Sequence, residues 1–447
     1  MSSFASGVQV SRSPLHGDGV VCLRSFAQDE EVLAERPLAF LQTLENRQCN
    51  VICRGCGSFL GSLQVQLGLL NRTLSRQDQA EIVSKSAPHH QVVMCANHCG
   101  ELYCSELCRH VHWMNRGHAL LCTGSCDATD SLVKFKIHAM ETNEIFLLVA
   151  DVFAQTCVDV ERKLSEGCPF DEAVATSMIP FEEGGYVREL WWDAAVAPPG
   201  TDPAELRASL QTLVTESWGL LDLALHLTDR QLASVLSQDY MSRLIGMFEQ
   251  NNVGVRMISP AGALCMSAAP GGSKNALLAS AAESISQVLE AESWEDCDDE
   301  NCQDDGEEDG EDDGEEEEGE GGGDMEVADD WSPDAAGNDG NLQRLYEILS
   351  NSGLDSIFPP LDGTAFYSKI CKINHSCEPN VLVKYPPAPL DGQPRPLTAQ
   401  LIALRDIAPN EELLQSYIDQ SMSFEFRQAA LRDYGFECSC PKCLRRE

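Results

Sequence analysis

Between residues 53 and 122 the chain sets out four pairs of potential metal ligands: Cys53-x2-Cys56, Cys95-x3-Cys99, Cys104-x3-Cys108 and His118-x3-Cys122. No other feature restricts its folding as strongly. Two thiolates two or three residues apart let one tight turn supply two corners of a tetrahedron, and eight ligands hold two zinc ions whose binding energy goes directly into folding. His98 lies near enough in sequence to replace Cys95 or Cys99. The alternative, a set of buried free thiols, accounts less well for so regular a spacing. The chain has 20 cysteines, and its first residues show no basic region followed by an apolar block. Clustered thiols in a long chain without a secretion signal point to metal sites in a reducing compartment, so cytosol or nucleus is expected.

The 447 residues suffice for two or three units with a real core. Val8-Gln9-Val10, Gly19 to Leu23 and Glu31 to Glu35 read as short strands, parted by turn-formers at His16-Gly17-Asp18-Gly19 and Gln28-Asp29. The cysteine block at 49–126 is interrupted by a polar, helix-compatible stretch around Gln64–Ser86. From 131 to 250 a helical bundle is expected. Phe135, Ile137, Ala139, Ile145, Phe146, Leu148, Val149 and Val152 suit a buried helix, and Leu206, Leu210, Leu213, Leu220 and Ala224 recur at helical spacing after Asp202-Pro203. Further helices are expected at Ala276–Leu289, Asn341–Leu349 and Phe424–Tyr434, and strands at Val381–Tyr385, Thr398–Leu404 and Leu413–Ile418. No membrane span is expected, since the apolar stretch Ile145–Ala154 is short and broken by Asp151.

The formal charge is −40, yet residues 295–330 alone hold 22 Asp and Glu and no Lys or Arg, so the remainder carries −18. Residues 295–335 bury too little apolar surface to fold and should be disordered. That segment reads as a solvated linker, or as a lure for Lys- and Arg-rich tails. The acidic balance argues against gripping nucleic acid, which needs clustered cations, and suits a basic protein partner. No Gly-x-Gly-x-x-Gly between strand and helix and no phosphate loop is present, which disfavours nucleotide hydrolysis and dinucleotide redox.

The second cluster of motifs lies near the C-terminus. Ile373-Asn374-His375-Ser376-Cys377-Glu378-Pro379-Asn380 is followed by Ser416-Tyr417, by Tyr434-Gly435-Phe436 and by Cys438-x-Cys440-x2-Cys443. Taken residue by residue, each has an ordinary reading: a local turn network for Asn374 and His375, a core strand for Tyr417, packing for Tyr434 and Phe436, a hairpin turn for Gly17-Asp18-Gly19. Taken in order, they resemble the signature of SET-domain protein lysine methyltransferases with a post-SET zinc site. Leu102 to Cys108 with Trp113, His118 and Cys122 resembles a MYND finger. The whole order resembles the SMYD group, with segments at 135–146 and 243–252 more like the trithorax-related plant SET proteins.

That resemblance implies an α+β fold, a SET-type β-clip core of short strands with a zinc-finger insert, a helical insert and a post-SET zinc site. The boundaries would be an N-terminal SET segment at 1–48, the finger at 49–126, the helical insert at 127–260, a linker at 261–340, the C-terminal SET core at 341–437 and the cysteine cluster at 438–447. Three structural zinc ions are implied. The first and third finger pairs would share one (Cys53, Cys56, Cys104, Cys108) and the second and fourth another (Cys95, Cys99, His118, Cys122). Cys377 would join Cys438, Cys440 and Cys443 at the third. The methyl donor S-adenosylmethionine would be held by Gly17, Gly19, Asn252, Asn374, His375, Tyr417 and Phe436, with Tyr417 catalytic and Tyr434 walling the lysine channel.

Transfer from a sulfonium to an amine is mostly a matter of holding the two in line, and a free lysine, with its pKa of about 10.4, must first lose a proton. Desolvation in an aromatic channel beside a cation lowers that pKa without a strong protein base. The implied activity is lysine methylation of a basic protein, a histone tail foremost, with a peptide partner for the finger conceivable. The alternatives are a non-histone target or a silent scaffold that keeps the fold.

Overall fold

The computed structural model describes residues 7–13, 17–60, 92–182, 189–198, 200–260, 262–263, 359–387, 395–432 and 434–447. All of them belong to one compact unit. The expectations for Gln64–Ser86, Ala276–Leu289, residues 295–335 and Asn341–Leu349 lie outside the described residues.

The N-terminal residues form four strands: β1 (Val8–Ser13), β2 (Gly17–Cys22), β3 (Glu31–Glu35) and β4 (Ala39–Gln42). After the short helix α1 (Asn46–Cys49) the finger contributes β5 (Val93–Met94), β6 (Leu102–Tyr103), α2 (Glu106–Asn115) and α3 (His118–Leu121). Helices follow at α4 (Ser131–Thr142), α5 (Ile145–Ser165), α6 (Phe170–Glu182), α7 (Trp191–Ala194), α8 (Pro203–Leu225) and α9 (Gln238–Asn251). The chain then returns to strands: β7 (Val253–Met257), β8 (Leu361–Phe366), β9 (Asn374–His375), β10 (Val381–Lys384), β11 (Ala399–Ala403) and β12 (Glu412–Gln415). It ends in α10 (Phe424–Arg432) and α11 (Pro441–Leu444).

Each C-terminal sheet is completed by an N-terminal strand. The sheet orders are β1-β2-β12-β9, β10-β11-β3 and β4-β8-β7. Residues 8–42 thus supply members to all three, and neither end of the chain can form the core alone. The Glu35 carboxylate, at the end of β3, reinforces this closure. It accepts from Ser368 N (2.9 Å), Ser368 Oγ (2.6 Å), Lys369 N (3.1 Å) and Ile370 N (3.0 Å). These donors lead into the 3-10 turn Ile370–Lys372, where unpaired N–H groups gather and a carboxylate is favoured.

The helices follow local rules. Asp130 and Asp202 accept from Leu132 N (2.8 Å) and Ala204 N (2.9 Å) at the starts of α4 and α8, and Pro203 occupies the first turn of α8. On α5 the buried positions Phe146, Val149, Phe153, Cys157 and Val160 make one face at spacings of three and four. Burying each phenylalanine contributes on the order of 1.5–3 kcal/mol. On α8 the fully buried stripe is Val214, Ser217, Leu221 and Leu225, one position beyond several of the expected leucines. Ser217 makes this possible: its hydroxyl donates to Leu213 O at 2.7 Å and meets His138 Nε2 of α4 at 2.8 Å, so a polar residue sits in the seam without an orphaned group.

A second difference from the sequence reading concerns Gly17-Asp18-Gly19. These residues do not separate two strands. They lie inside β2 and pair with Ser13, Arg12 and Ser11. No described helix is long and apolar enough to cross a membrane.

Candidate active site and metal clusters

The finger's two ligand sets interleave. Cys53, Cys56, Cys104 and Cys108 converge on one point, and Cys95, Cys99, His118 and Cys122 on another, with all ligand atoms of a set within 4.8 Å of one another. His98 belongs to neither set. Its residue has a φ of 55° and serves the turn between Cys95 and Cys99, where its N–H donates to Cys95 O at 3.0 Å. Sulfurs that share a zinc at ~2.3 Å lie ~3.8 Å apart across a tetrahedral edge. Cys56 and Cys104 are 3.7 Å apart, Cys104 and Cys108 3.4 Å, and Cys95 and Cys122 3.6 Å. His118 Nε2 lies 3.4 Å from both Cys95 and Cys99. Donor type and spacing therefore fit zinc.

Ser105 starts α2 by accepting from Cys108 N at 3.1 Å, which sets Cys108 opposite Cys104. Gly117 starts α3. A Cβ there would meet Ala154 C of α5 at 2.5 Å, so only glycine lets the His118 turn approach the helical core so closely. Burial holds the His118 imidazole neutral, its pKa carried down to about 4, as a metal ligand requires.

The third set joins Cys377 to Cys438, Cys440 and Cys443, with Cys377 and Cys443 sulfurs 3.5 Å apart. Burial opposes ionisation of Cys440, but backbone donors from Cys443 and Cys377 and the neighbouring thiols carry its pKa down to about 7. This cluster shares a small core with Leu431, and Tyr417 packs against it.

The segment from Asn374 to Asn380 is laid along β12. Asn374 and His375 pair in parallel with Leu414 and Gln415, Ser376 N donates to Gln415 O (2.8 Å), and buried Asn380 fastens the far end. Its side chain donates to Glu412 O (2.8 Å) and accepts from Leu414 N (2.7 Å). Asn374 and His375 thus form a strand pairing and not the local turn network that was their ordinary reading. On its other side β12 pairs with β2, which brings Gly19 beside Asn374. Asn374 Nδ2 donates to Asp18 O (3.0 Å) and to Glu412 Oε1 (2.8 Å). A Cβ on Gly19 would stand 2.6 Å from Glu412 Oε1 and 2.8 Å from Asn374 Nδ2.

Tyr417 follows the end of β12. Its hydroxyl donates to Ile373 O at 2.8 Å and its backbone N–H donates to His375 Nδ1 at 3.0 Å. Its ring lies 5.3 Å from that of His375, 5.2 Å from Tyr434 and 6.5 Å from Phe436, while Phe436 lies 5.9 Å from His375. Tyr434 and Phe436 each remain 36 % exposed, so the aromatic group opens to solvent on one side. Burial raises the Tyr417 phenol above its ordinary range, helped by Cys371, Tyr434 and Glu412, so it is a neutral donor at physiological pH.

The structure therefore brings together Gly17, Gly19, Asn374, His375, Tyr417, Tyr434 and Phe436 around β2, β9 and β12. Asn252 is placed by other elements: it ends α9, just before β7, whose Val253 pairs with Ala365. Its Oδ1 is buried and has no hydrogen-bond partner among the described residues. Gly19 passing close to the Asn374 amide and a half-exposed aromatic face fit an adenosyl donor. Glu412 and Glu35, which hold Asn374 and the turn before it, were missed in the sequence. Glutamates in a strand give no signal of which loop they will cap.

A SET domain matches residues 254–418, the stretch that contains Asn374, His375 and Tyr417. The chain is 27% identical, over 99% of its length and 91% of the other's, to histone-lysine N-methyltransferase ATXR2 of Arabidopsis thaliana. It is 40% identical over 22% of its length to N-lysine methyltransferase SMYD2-B of Danio rerio, of which that covers 18%. It is 32% identical over 23% of its length to SET domain and MYND-type zinc finger protein 6 of Schizosaccharomyces pombe, of which that covers 20%. A tyrosine beside an Asn-His pair laid along β12, on sheets that both ends of the chain complete, together with the SET match and the lysine methyltransferase relatives, supports a SET-domain protein lysine methyltransferase. The interleaved finger clusters then place this chain with the SMYD-like architecture, in which a MYND-type finger accompanies the SET core.

Proposed function

We propose that this chain methylates lysines in the basic tail of a histone, using S-adenosylmethionine, and that it holds three structural zinc ions. The observation that carries the reading is the placement of the Tyr417 hydroxyl. It is fixed on Ile373 O, one residue from Asn374-His375, with Tyr434 and Phe436 at the open side. S-adenosylmethionine, when bound, supplies the electrophilic methyl group.

The chain's own residues do the rest. The backbone at Gly17 and Gly19, the Asn374 amide, the main chain at His375, Asn252 and the face of Phe436 form the donor's seat. Tyr417 orients the amine, and the carbonyl of Ile373 faces positive charge close to that hydroxyl. Tyr417 and Tyr434 wall a channel too apolar to favour an ammonium, which eases loss of its proton to solvent. The three clusters fix this geometry, and the third ties the C-terminal tail to Cys377 beside the site.

Two points support a histone tail as the substrate. The chain carries −40 overall and −18 outside residues 295–330. Such a surface attracts Lys- and Arg-rich segments and repels nucleic acid. A relative that spans nearly the whole chain is named for histone lysine. We place the protein in nucleus or cytosol on the same reading. The test is incubation with labelled S-adenosylmethionine and, separately, core histones and a histone-depleted extract. Labelled histones are the expected result. Labelling confined to the extract contradicts the histone assignment and keeps the chemistry.

A further inference from the structure

Arg427 belongs to no sequence motif, yet it is the largest fully buried side chain among the described residues, with 0 % of its surface exposed. A guanidinium stays charged at any pH the fold survives, and burying one without a counter-charge costs several kcal/mol. Among the described residues its Nη1 donates to Met422 O (2.5 Å), a neutral carbonyl, its Nη2 donates to Glu447 O (2.5 Å), an oxygen of the last residue's carboxylate, and its Nε has no partner. The remaining contact is with sulfur, since Nη2 lies 3.8 Å from Cys443 Sγ and the group also faces Cys377.

We infer that Arg427 is the built-in counter-charge of the C-terminal zinc cluster, a positioning residue whose cation makes a four-thiolate site tenable in this core. Zinc held by four thiolates carries two net negative charges. Without a cation nearby, that excess would sit in an apolar pocket beside Leu431. Arg427 lies between the carboxylate of Glu447 and the cluster, and so offsets part of the cluster's excess.

The face of α10 is shaped for the task. Phe424, Arg427, Gln428 and Leu431, at helical spacings of three and four, all turn toward the cluster. Phe424 and Leu431 pack on it, and Gln428 bonds Cys438 in both directions, Nε2 to the carbonyl at 2.9 Å and Oε1 from the N–H at 3.1 Å. Arg427 is the one charged member of that face. Partners outside the ligand set typically change metal affinity by about 10–100-fold.

This inference rests on the three-zinc reading, and the experiment separates the two. Zinc content of the full chain, and the rate of its transfer to a chromophoric chelator, are measured for wild type, R427Q and R427K. Glutamine keeps an amide donor and removes the charge; lysine keeps the charge. The expected result is three ions in wild type, one of them lost about 10–100-fold faster from R427Q, with R427K retaining it better than R427Q. Three ions released from R427Q at the wild-type rate, or R427Q retaining the ion as well as R427K, would overturn the role of the charge and leave the three-ion reading intact. A wild type with two ions overturns both. Recovery of both variants unfolded shows that charge alone is insufficient and likewise rejects the inference.

Discussion

The backbone N–H of Tyr417 donates to Nδ1 of His375 at 3.0 Å, which leaves the imidazole proton on Nε2, 3.3 Å from the sulfur of Cys377. One side chain therefore spans from the tyrosine to a ligand of the C-terminal cluster, and the tyrosine's position depends on both ends. His375→Ala removes both bonds. Turnover should fall about tenfold or more, and zinc should leave the tail cluster about 10–100-fold faster than from wild type. Loss of turnover with unchanged zinc release would confine His375 to the donor seat.

Gly19 leaves no room for a side chain between Glu412 and Asn374. Gly19→Ala should push both aside and weaken binding of S-adenosylmethionine about tenfold or more, while the melting temperature changes little. Calorimetric titration with donor alone measures this. Unaltered affinity would remove the Gly17–Gly19 strand from the donor site.

The raised pKa of Tyr417 has a definite sign. The folded phenol holds its proton longer than the unfolded one, so its contribution to stability is full below about pH 10 and is lost as pH rises beyond it. Tyr417 should therefore stay neutral across the working range. With a lysine as acceptor, kcat/KM should climb from pH 7 to 9.5 with no descending limb. A fall within that range in folded protein would mean that Tyr417 ionises earlier than its surroundings allow.

Glu35 caps the turn before Asn374 through four donors from residues 368–370. Glu35→Ala should cost about 2–4 kcal/mol of stability, since it strands several backbone N–H groups. Chemical denaturation checks this, and a loss below about 0.5 kcal/mol would show that solvent replaces the carboxylate.

The clusters were the most legible part of the chain, because a tetrahedral site fixes both the residue type and the spacing of its ligands. The three ligand sets follow the grouping that the family resemblance implied, and the long gap between Cys56 and Cys95 did not disturb it. Strands were legible where β-branched and aliphatic residues ran together, as in β10 and β11. They were not in β4, β7 and β8, whose short segments Ala39–Gln42, Val253–Met257 and Leu361–Phe366 gain strand identity only by pairing with one another. Nor could Asn374-His375 be recognised as a strand, since two polar residues carry no periodicity and are held by β12 alone. Arg427 was invisible for a related reason: an arginine on an amphipathic helix normally faces water, and only the tertiary structure shows this one enclosed.

The most direct test of the whole account is the mass spectrum of a histone tail peptide after reaction with S-adenosylmethionine and either wild type or Tyr417→Phe, with zinc content and donor affinity measured on both proteins. The account predicts lysine methylation by wild type, a rate about 10²-fold lower for the variant that lacks the hydroxyl bonded to Ile373 O, and unchanged zinc and donor binding. Equal rates for the two proteins would contradict the central role given to Tyr417. Donor binding without transfer to any lysine, in fully zinc-loaded wild type, would contradict the proposed activity itself.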